Sequence, residues 1–406
     1  MWFFRSPTIV FGEDALLHVR EIGDRSAGER AFVITDQAIQ KSGQLATVLF
    51  QLEHAGMQTH VFDEVETELT LSHIKTATKA MDAFNPSWIV AVGGNHIIDA
   101  AKAMWILLEN PDADLLSLNA MEPIQMGGRA GMIAIPTPDG VGSATTWAIT
   151  LVDENAETDE PAAAINTGHP FAMPTYAVID PTLAATLTPA QIADAGILAL
   201  VQAIEGYAST WQNDFTEGLC LVATKLVFNH LPRAFQDTSD IEAIEKISNS
   251  AGIAGLGYIN SMVGAAYLMG RALHMAFPVL TLGHAVGVCL PAIIAFNASP
   301  DRPEDVETHY AELARFLSLP SDDESTAATA LAKAVHTLLG EVDMPHTLAE
   351  AGITREQLDE AMDDLMDQVL SDTILFTAPR QPSEDELRQL FGAVFENTAE
   401  DAPLDA

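Results

Sequence analysis

A chain of 406 residues, 48% of them apolar, is long enough for two domains with large cores and too apolar for intrinsic disorder. Its 57 Asp and Glu against 19 Lys and Arg give a net charge of −38. That excludes nucleic acid and anionic membrane as partners, since both require basic patches. The acid is spread along the whole chain, a pattern that fits a halophilic protein in a high-salt cytoplasm, where salt screens the self-repulsion.

Two cysteines in apolar contexts, Cys220 and Cys289, offer neither a disulfide framework nor zinc spacing, so a reducing, cytoplasmic interior is expected. The N-terminal Met-Trp-Phe-Phe-Arg-Ser-Pro lacks the basic-then-apolar order of a secretory signal. The apolar run 285–295 is too short to span a bilayer and reads as a buried helix.

In chain order, 31–35 (Ala-Phe-Val-Ile-Thr) is a strand, followed by a helical segment ending near Gly56. Residues 59–62 form the next strand, 71–84 a helix, and 87–92 a fully buried strand running into Gly93-Gly94. Residues 131–135 form another strand. Strands alternating with helices of this length imply βαβ units and a parallel sheet. After Ile179-Asp180-Pro181 helical periodicity takes over from Pro189 to about Phe395, with breaks expected at 229–232, 299–303, 320–323 and 340–345. The expected organisation is a dinucleotide-binding α/β domain over 1–184, an all-helical domain over 185–396, and an acidic tail over 397–406.

Two glycine segments follow strands. Gly93-Gly94-Asn95-His96-Ile-Ile-Asp99-Ala-Ala-Lys102 opens a helix, where adjacent glycines admit a phosphate to unpaired N–H groups. Asn95 tolerates positive φ, so the turn survives there; the alternative is an ordinary helix N-terminus. The run 136–146, Pro-Thr-Pro-Asp-Gly-Val-Gly-Ser-Ala-Thr-Thr, offers Thr137, Gly140, Gly142 and Ser143 to a ribose and diphosphate. Asp36 ends the strand 31–35. There a carboxylate accepts from an adenosine ribose and repels a 2′-phosphate, or it serves only as a helix cap.

These segments, with Asp180-Pro181-x-Leu183, resemble the iron-containing (group III) alcohol dehydrogenases over roughly residues 1–390. The family reads Thr-Asp, Gly-Gly-Gly-Ser-x-x-Asp-x-x-Lys and Pro-Thr-Thr-x-Gly-Thr-Gly-Ser-Glu-x-Thr at the corresponding places. The resemblance implies a Rossmann-like parallel-sheet domain plus an all-α domain, the dehydroquinate synthase-like architecture, with cofactor in the cleft between them. It also implies a small-molecule alcohol, aldehyde or ketone as substrate and a homo-oligomer, a dimer. NAD is the expected cofactor, with NADP possible, held by Asp36, Gly93, Gly94, Asn95, Asp99, Thr137, Gly140, Gly142 and Ser143.

The chain departs from the family at the metal. The family's Asp-x-x-x-His before Ala-Ile-Glu falls on Leu198 and Gln202, ahead of Ala203-Ile204-Glu205. Its His-x-x-x-His…His-Gly falls on Gly270, His274 and His284. Leu198 and Gly270 cannot coordinate, and Gln202 is a poor ligand for a divalent transition metal. Iron or zinc is therefore expected to be absent from the family site. The catalytic groups are then His274 as proton donor or acceptor, with Gln202 and His284 beside the reacting carbon. A displaced site built from Asp194, His274 and His284 is one alternative. Another is a non-catalytic or assisting subunit that keeps the fold for partner binding.

Overall fold

The computed structural model describes residues 3–23, 29–120, 122–137, 140–152, 154, 164–184, 187–299 and 306–396. The expected tail over 397–406 and the loop residues 138 and 139 lie outside these. The chain forms two compact units, Met1–Leu187 and Thr188–Ala406.

The first unit carries β1 (Thr8–Phe11), β2 (Arg30–Ile34), β3 (Gln58–Phe62), β4 (Trp88–Gly93), β5 (Gly131–Pro136), β6 (Ala148–Val152), β7 (Ala164–Gly168) and β8 (Tyr176–Ile179). Between them run α1 (Val19–Gly23), α2 (Gln37–Ser42), α3 (Gln44–His54), α4 (Leu71–Phe84), α5 (Asn95–Glu109) and α6 (Val141–Ala144). Six strands pair in the order β1-β8-β5-β4-β2-β3, all parallel, while β6 and β7 form a separate antiparallel pair.

Strand alternation sorts the core into two layers. Phe32, Ile34, Ile89, Ala91, Met132 and Ala134 pack with α4 and α5 residues such as Ile74, Met81, Ile98 and Trp105. Ala31, Val33, Val90, Val92, Ile133 and Ile135 face the other way, onto Val19, Val48 and Leu52. Burial on both faces explains why these strands read as continuous apolar runs. β8 shares this burial, with Ala177 in one layer and Val178 in the other, whereas the edge strand β1 is partly exposed.

The second unit is helical: α7 (Pro189–Ala208), α8 (Asp214–Gln236), α9 (Ile241–Ile259), α10 (Ala265–Ala276), α11 (Leu282–Asn297), α12 (Val306–Phe316), α13 (Glu324–Glu341), α14 (Arg355–Leu370) and α15 (Glu384–Glu396). A capping box starts α7: the Thr188 hydroxyl accepts from Gln191 N, the Gln191 side chain accepts from Thr188 N, and Pro189 stands in the first turn. The break expected at 229–232 does not occur, because α8 runs through Pro232. Leu231 and Ala234 are fully buried on either side of the proline, and that packing outweighs one missing N–H bond near the helix end. The apolar run 285–295 lies inside α11, as a buried helix. No described helix is long and apolar enough to cross a membrane.

Candidate active site

The connections after β2 and β4 leave in opposite directions. β2 leads to its neighbour β3 on one side, and β4 leads to its neighbour β5 on the other. β2 and β4 are themselves adjacent, so the switch of direction falls between their carboxyl ends, where open α/β sheets bind ligands. The Thr35 hydroxyl donates to Val92 O (2.9 Å), closing the two strand ends together. Asp36 follows β2, and the Gly93-Gly94 turn follows β4.

The turn after β4 and the loop after β5 are in backbone contact. Gly93 has φ +146°. Thr137 N donates to Gly93 O (3.0 Å). A Cβ on Gly140 would stand 2.5 Å from Gly93 O, so only glycine fits there. Gly94 caps α5 without any side-chain acceptor. Asn95 is the first residue of α5 and has no positive φ, contrary to the role expected for it; that conformation belongs to Gly93.

Asp99 and Ser143 are brought together, but with each other and Lys102. Lys102 is fully buried. Its Nζ donates to Asp99 Oδ1 (3.2 Å), Ser143 Oγ (2.8 Å) and Ala148 O (2.8 Å). The Ser143 hydroxyl also donates to Asp99 Oδ1, and Thr150 N donates to Asp99 Oδ2 (3.1 Å). Burial pulls the Lys102 ammonium below its usual range, and the Asp99 carboxylate opposes that pull. Sequence placed Lys102 in register without revealing this role: the cluster pins the α6 turn, and with it Gly140 and Gly142, onto α5 and β6.

Of the two readings that sequence left open for Asp36, the helix cap is seen in the structure. Its Oδ1 accepts from Ile39 N (2.8 Å) and caps α2. Its Oδ2 lies 3.2 Å from His96 Nε2. The His96 ring, at the start of α5, is directed at this carboxylate.

In the helical unit, the residues that the resemblance sets at the family's ligand positions lie on α7, α10 and α11. His274 Nδ1 lies 2.6 Å from Leu280 O. A carbonyl only accepts, so Nδ1 carries a hydrogen and Nε2 is the ring nitrogen left for other partners. His284 Nε2 likewise donates to Pro345 O (3.1 Å), and burial lowers its pKa. Gln202 is buried, and its side chain has no hydrogen-bond partner among the described residues. At Gly270 a Cβ would meet Val286 Cα at 2.4 Å and Val286 N at 2.5 Å. The close approach of α10 to α11 thus leaves no room for any side chain where the family has its first histidine.

Asp194, the remaining candidate for a displaced ligand set, is engaged as a helix cap. Its carboxylate accepts from the Thr281 hydroxyl and from the backbone N–H groups of Gly283 and His284, at the start of α11. Burial raises its pKa. Thr281 itself offers α11 no side-chain cap, so α7 supplies it. No group of three or more His, Cys, Asp or Glu suited to a metal exists among the described residues. The donor set does not fit iron or zinc, which require three or more protein ligands.

Sequence reasoning missed one buried acid altogether. Glu205 accepts from Gly264 N (3.0 Å), Ala266 N (2.7 Å) and Tyr267 N (2.9 Å), capping α10, the helix that carries His274. Burial pushes its carboxyl up to about 7. Its position beside Gln202 in the Ala-Ile-Glu motif was the available signal.

The family model for iron-containing alcohol dehydrogenases matches residues 6–181, and the one for the C-terminal part of the Fe-containing alcohol dehydrogenase family matches 192–395. Aldehyde-alcohol dehydrogenase 2 of Entamoeba histolytica is 30% identical over 380 residues, covering 89% of this chain and 42% of that protein. The NADPH-dependent butanol dehydrogenase of Clostridium saccharobutylicum is 27% identical over 402 residues, covering 99% of this chain and 100% of the relative. The chain therefore spans less than half of the first relative and the full length of the second. Among solved structures, an iron-containing alcohol dehydrogenase from Thermococcus thioreducens superposes with a TM-score of 0.86 at 23% identity, over 97% of this chain and 99% of that one. The sulfoacetaldehyde reductase of Bifidobacterium kashiwanohense in complex with NAD+ does so with a TM-score of 0.83 at 22% identity, over 98% and 99%. Both share the parallel-sheet domain and helical domain described above.

Proposed function

The chain belongs to the iron-containing alcohol dehydrogenase family, and from that premise we propose that it interconverts a small alcohol and an aldehyde or ketone with a nicotinamide dinucleotide, without the family metal. The observation that carries the dinucleotide is the joined pair of glycine turns after β4 and β5, beside Asp36 at the switch point. Butanol and aldehyde-alcohol dehydrogenases among the relatives favour an oxidoreductase over an assisting subunit.

Gly93, Gly94 and Asn95 present the α5 N-terminus to the phosphates, with Thr137, Gly140 and Gly142 opposite. Asp99 and Ser143 act as positioning residues through Lys102. A nicotinamide held there would accept the alcohol's hydride in oxidation and return it in reduction. His274, its Nδ1–H committed to Leu280 O, takes the alcohol proton on Nε2 during oxidation and returns it during reduction. The buried Gln202 amide donates a hydrogen bond to the substrate oxygen. His284, its Nε2–H donated to Pro345 O, adds a polar group beside the reacting carbon. Such donors replace, in part, the several kcal/mol that a Lewis acid would contribute. Calorimetric titration with NADH and NADPH, together with a reduced-nicotinamide absorbance screen over short aldehydes and ketones, tests this reading. A folded protein that binds neither nucleotide refutes it.

A further inference from the structure

The Asp36–His96 pair is particular to this chain's departures from the family pattern, and it lies where the adenosine ribose would be read. Asp36 follows β2 and His96 is the second residue of α5, so the pair bridges the two strand ends between which the sheet changes direction. Both side chains remain reachable, His96 at 28% and Asp36 at 20% exposure. Oδ1 of the carboxylate is already committed to the α2 cap through Ile39 N. Oδ2 accepts from His96 Nε2–H at 3.2 Å. A carboxylate that selects an unphosphorylated ribose does so by accepting from the sugar hydroxyls and by repelling a 2′-phosphate. Here the oxygen left over from the helix cap is shared with an imidazole N–H, which weakens the first effect. The same N–H is a donor for an anion placed beside the carboxylate, which offsets the second.

We propose that His96 is a specificity-determining residue that relaxes the choice of nucleotide at Asp36, so that NADP(H) is accepted alongside NAD(H). The inference rests on the dinucleotide reading above and concerns only the 2′ end of the ligand. The serine that the family pattern carries at this place is too short to span from α5 to Oδ2. A chain with alanine or serine at 96 would present Asp36 with Oδ2 free, and would discriminate against the 2′-phosphate.

The experiment is calorimetric titration of the full chain with NADH and with NADPH, for the wild type, His96→Ala and Asp36→Asn. Asparagine is itself a good N-cap, so Asp36→Asn keeps α2 while removing the charge. The wild type is expected to bind the two nucleotides within about tenfold of each other. His96→Ala should raise the ratio of the NADPH to the NADH dissociation constant by about tenfold or more, the size of one hydrogen bond to a charged group. Asp36→Asn should lower that ratio. Equal weakening of both nucleotides in His96→Ala would overturn the proposal and leave His96 a packing residue, with the dinucleotide reading intact. A wild type that binds NADH and rejects NADPH would overturn it too. A wild type that binds neither nucleotide would overturn the dinucleotide reading and this inference together.

Discussion

Replacing Lys102 by Met keeps the volume of the side chain and removes its charge and its three hydrogen bonds. In the native chain Nζ serves Asp99, Ser143 and the Ala148 carbonyl from a fully buried position. Asp99 is only 8% exposed, so the variant leaves a carboxylate in the interior with Ser143 Oγ and Thr150 N as its donors. Removing one partner of a buried ion pair costs about 3–5 kcal/mol. The α6 turn that carries Gly140 and Gly142 loses its anchor on α5, so nucleotide affinity should fall as well. Urea unfolding followed by circular dichroism measures the first loss, and calorimetry with NADH the second. Removing the charge of Asp99 in the same chain, as Lys102→Met with Asp99→Asn, should recover part of the stability, with a coupling of about 1–3 kcal/mol. A loss below about 1 kcal/mol in the single variant, or strict additivity in the double variant, would refute the claim that this cluster holds the loop.

Gly270→Ala places a Cβ 2.4 Å from Val286 Cα; overpacking should cost about 1–3 kcal/mol, against the roughly 1 kcal/mol of helix preference that alanine adds, and a stabilised variant would contradict the α10–α11 contact. His274→Ala should lower turnover by about 10²–10⁴, as expected for loss of a proton-transfer group, with NADH affinity unchanged; parallel loss of both would make His274 a structural residue. Glu205 should leave a pH signature in stability. Its folded carboxyl, pushed up to about 7, holds a proton that the unfolded chain releases near 4.5. The folded state therefore binds more protons between these values, and the contribution of this group to stability falls as pH rises through that window. The stability difference between wild type and Glu205→Gln, followed by thermal unfolding from pH 4 to 8 (roughly the window bracketing these values), should shrink with rising pH; a difference that grows would place the carboxyl on the opposite side of its usual range.

The parallel sheet was legible because its central strands are buried on both faces, so 31–35, 87–92 and 131–135 stand out as apolar runs, while the partly exposed edge strand at 59–62 shows through its Thr, Val and Phe. β1 and β8 were not legible, since four-residue strands leave too short a pattern, and Pro232 misled because tertiary packing on Leu231 and Ala234 decides the matter. The same limit holds at the candidate site. Glycines reported where a backbone must pass closely, as Gly140 does against Gly93. Partnerships over long sequence separations left no local trace: Lys102 with Ser143, Asp36 with His96, Asp194 with the start of α11, and Glu205 with the start of α10. Each is set by the fold, and each redirects a polar side chain that sequence had assigned to a ligand or left without a role.

We propose nicotinamide-dependent oxidoreduction without iron or zinc, because the resemblance sets Leu198, Gln202 and Gly270 at ligand positions and because Asp194 and His284 are hydrogen-bonded to backbone groups. The direct measurement is elemental analysis of protein purified without chelator, paired with nicotinamide-dependent turnover of that same sample before and after chelator treatment and after added iron or zinc. Substoichiometric metal is expected, with a rate that neither treatment changes. Stoichiometric iron or zinc, whose removal abolishes turnover and whose return restores it, would contradict it.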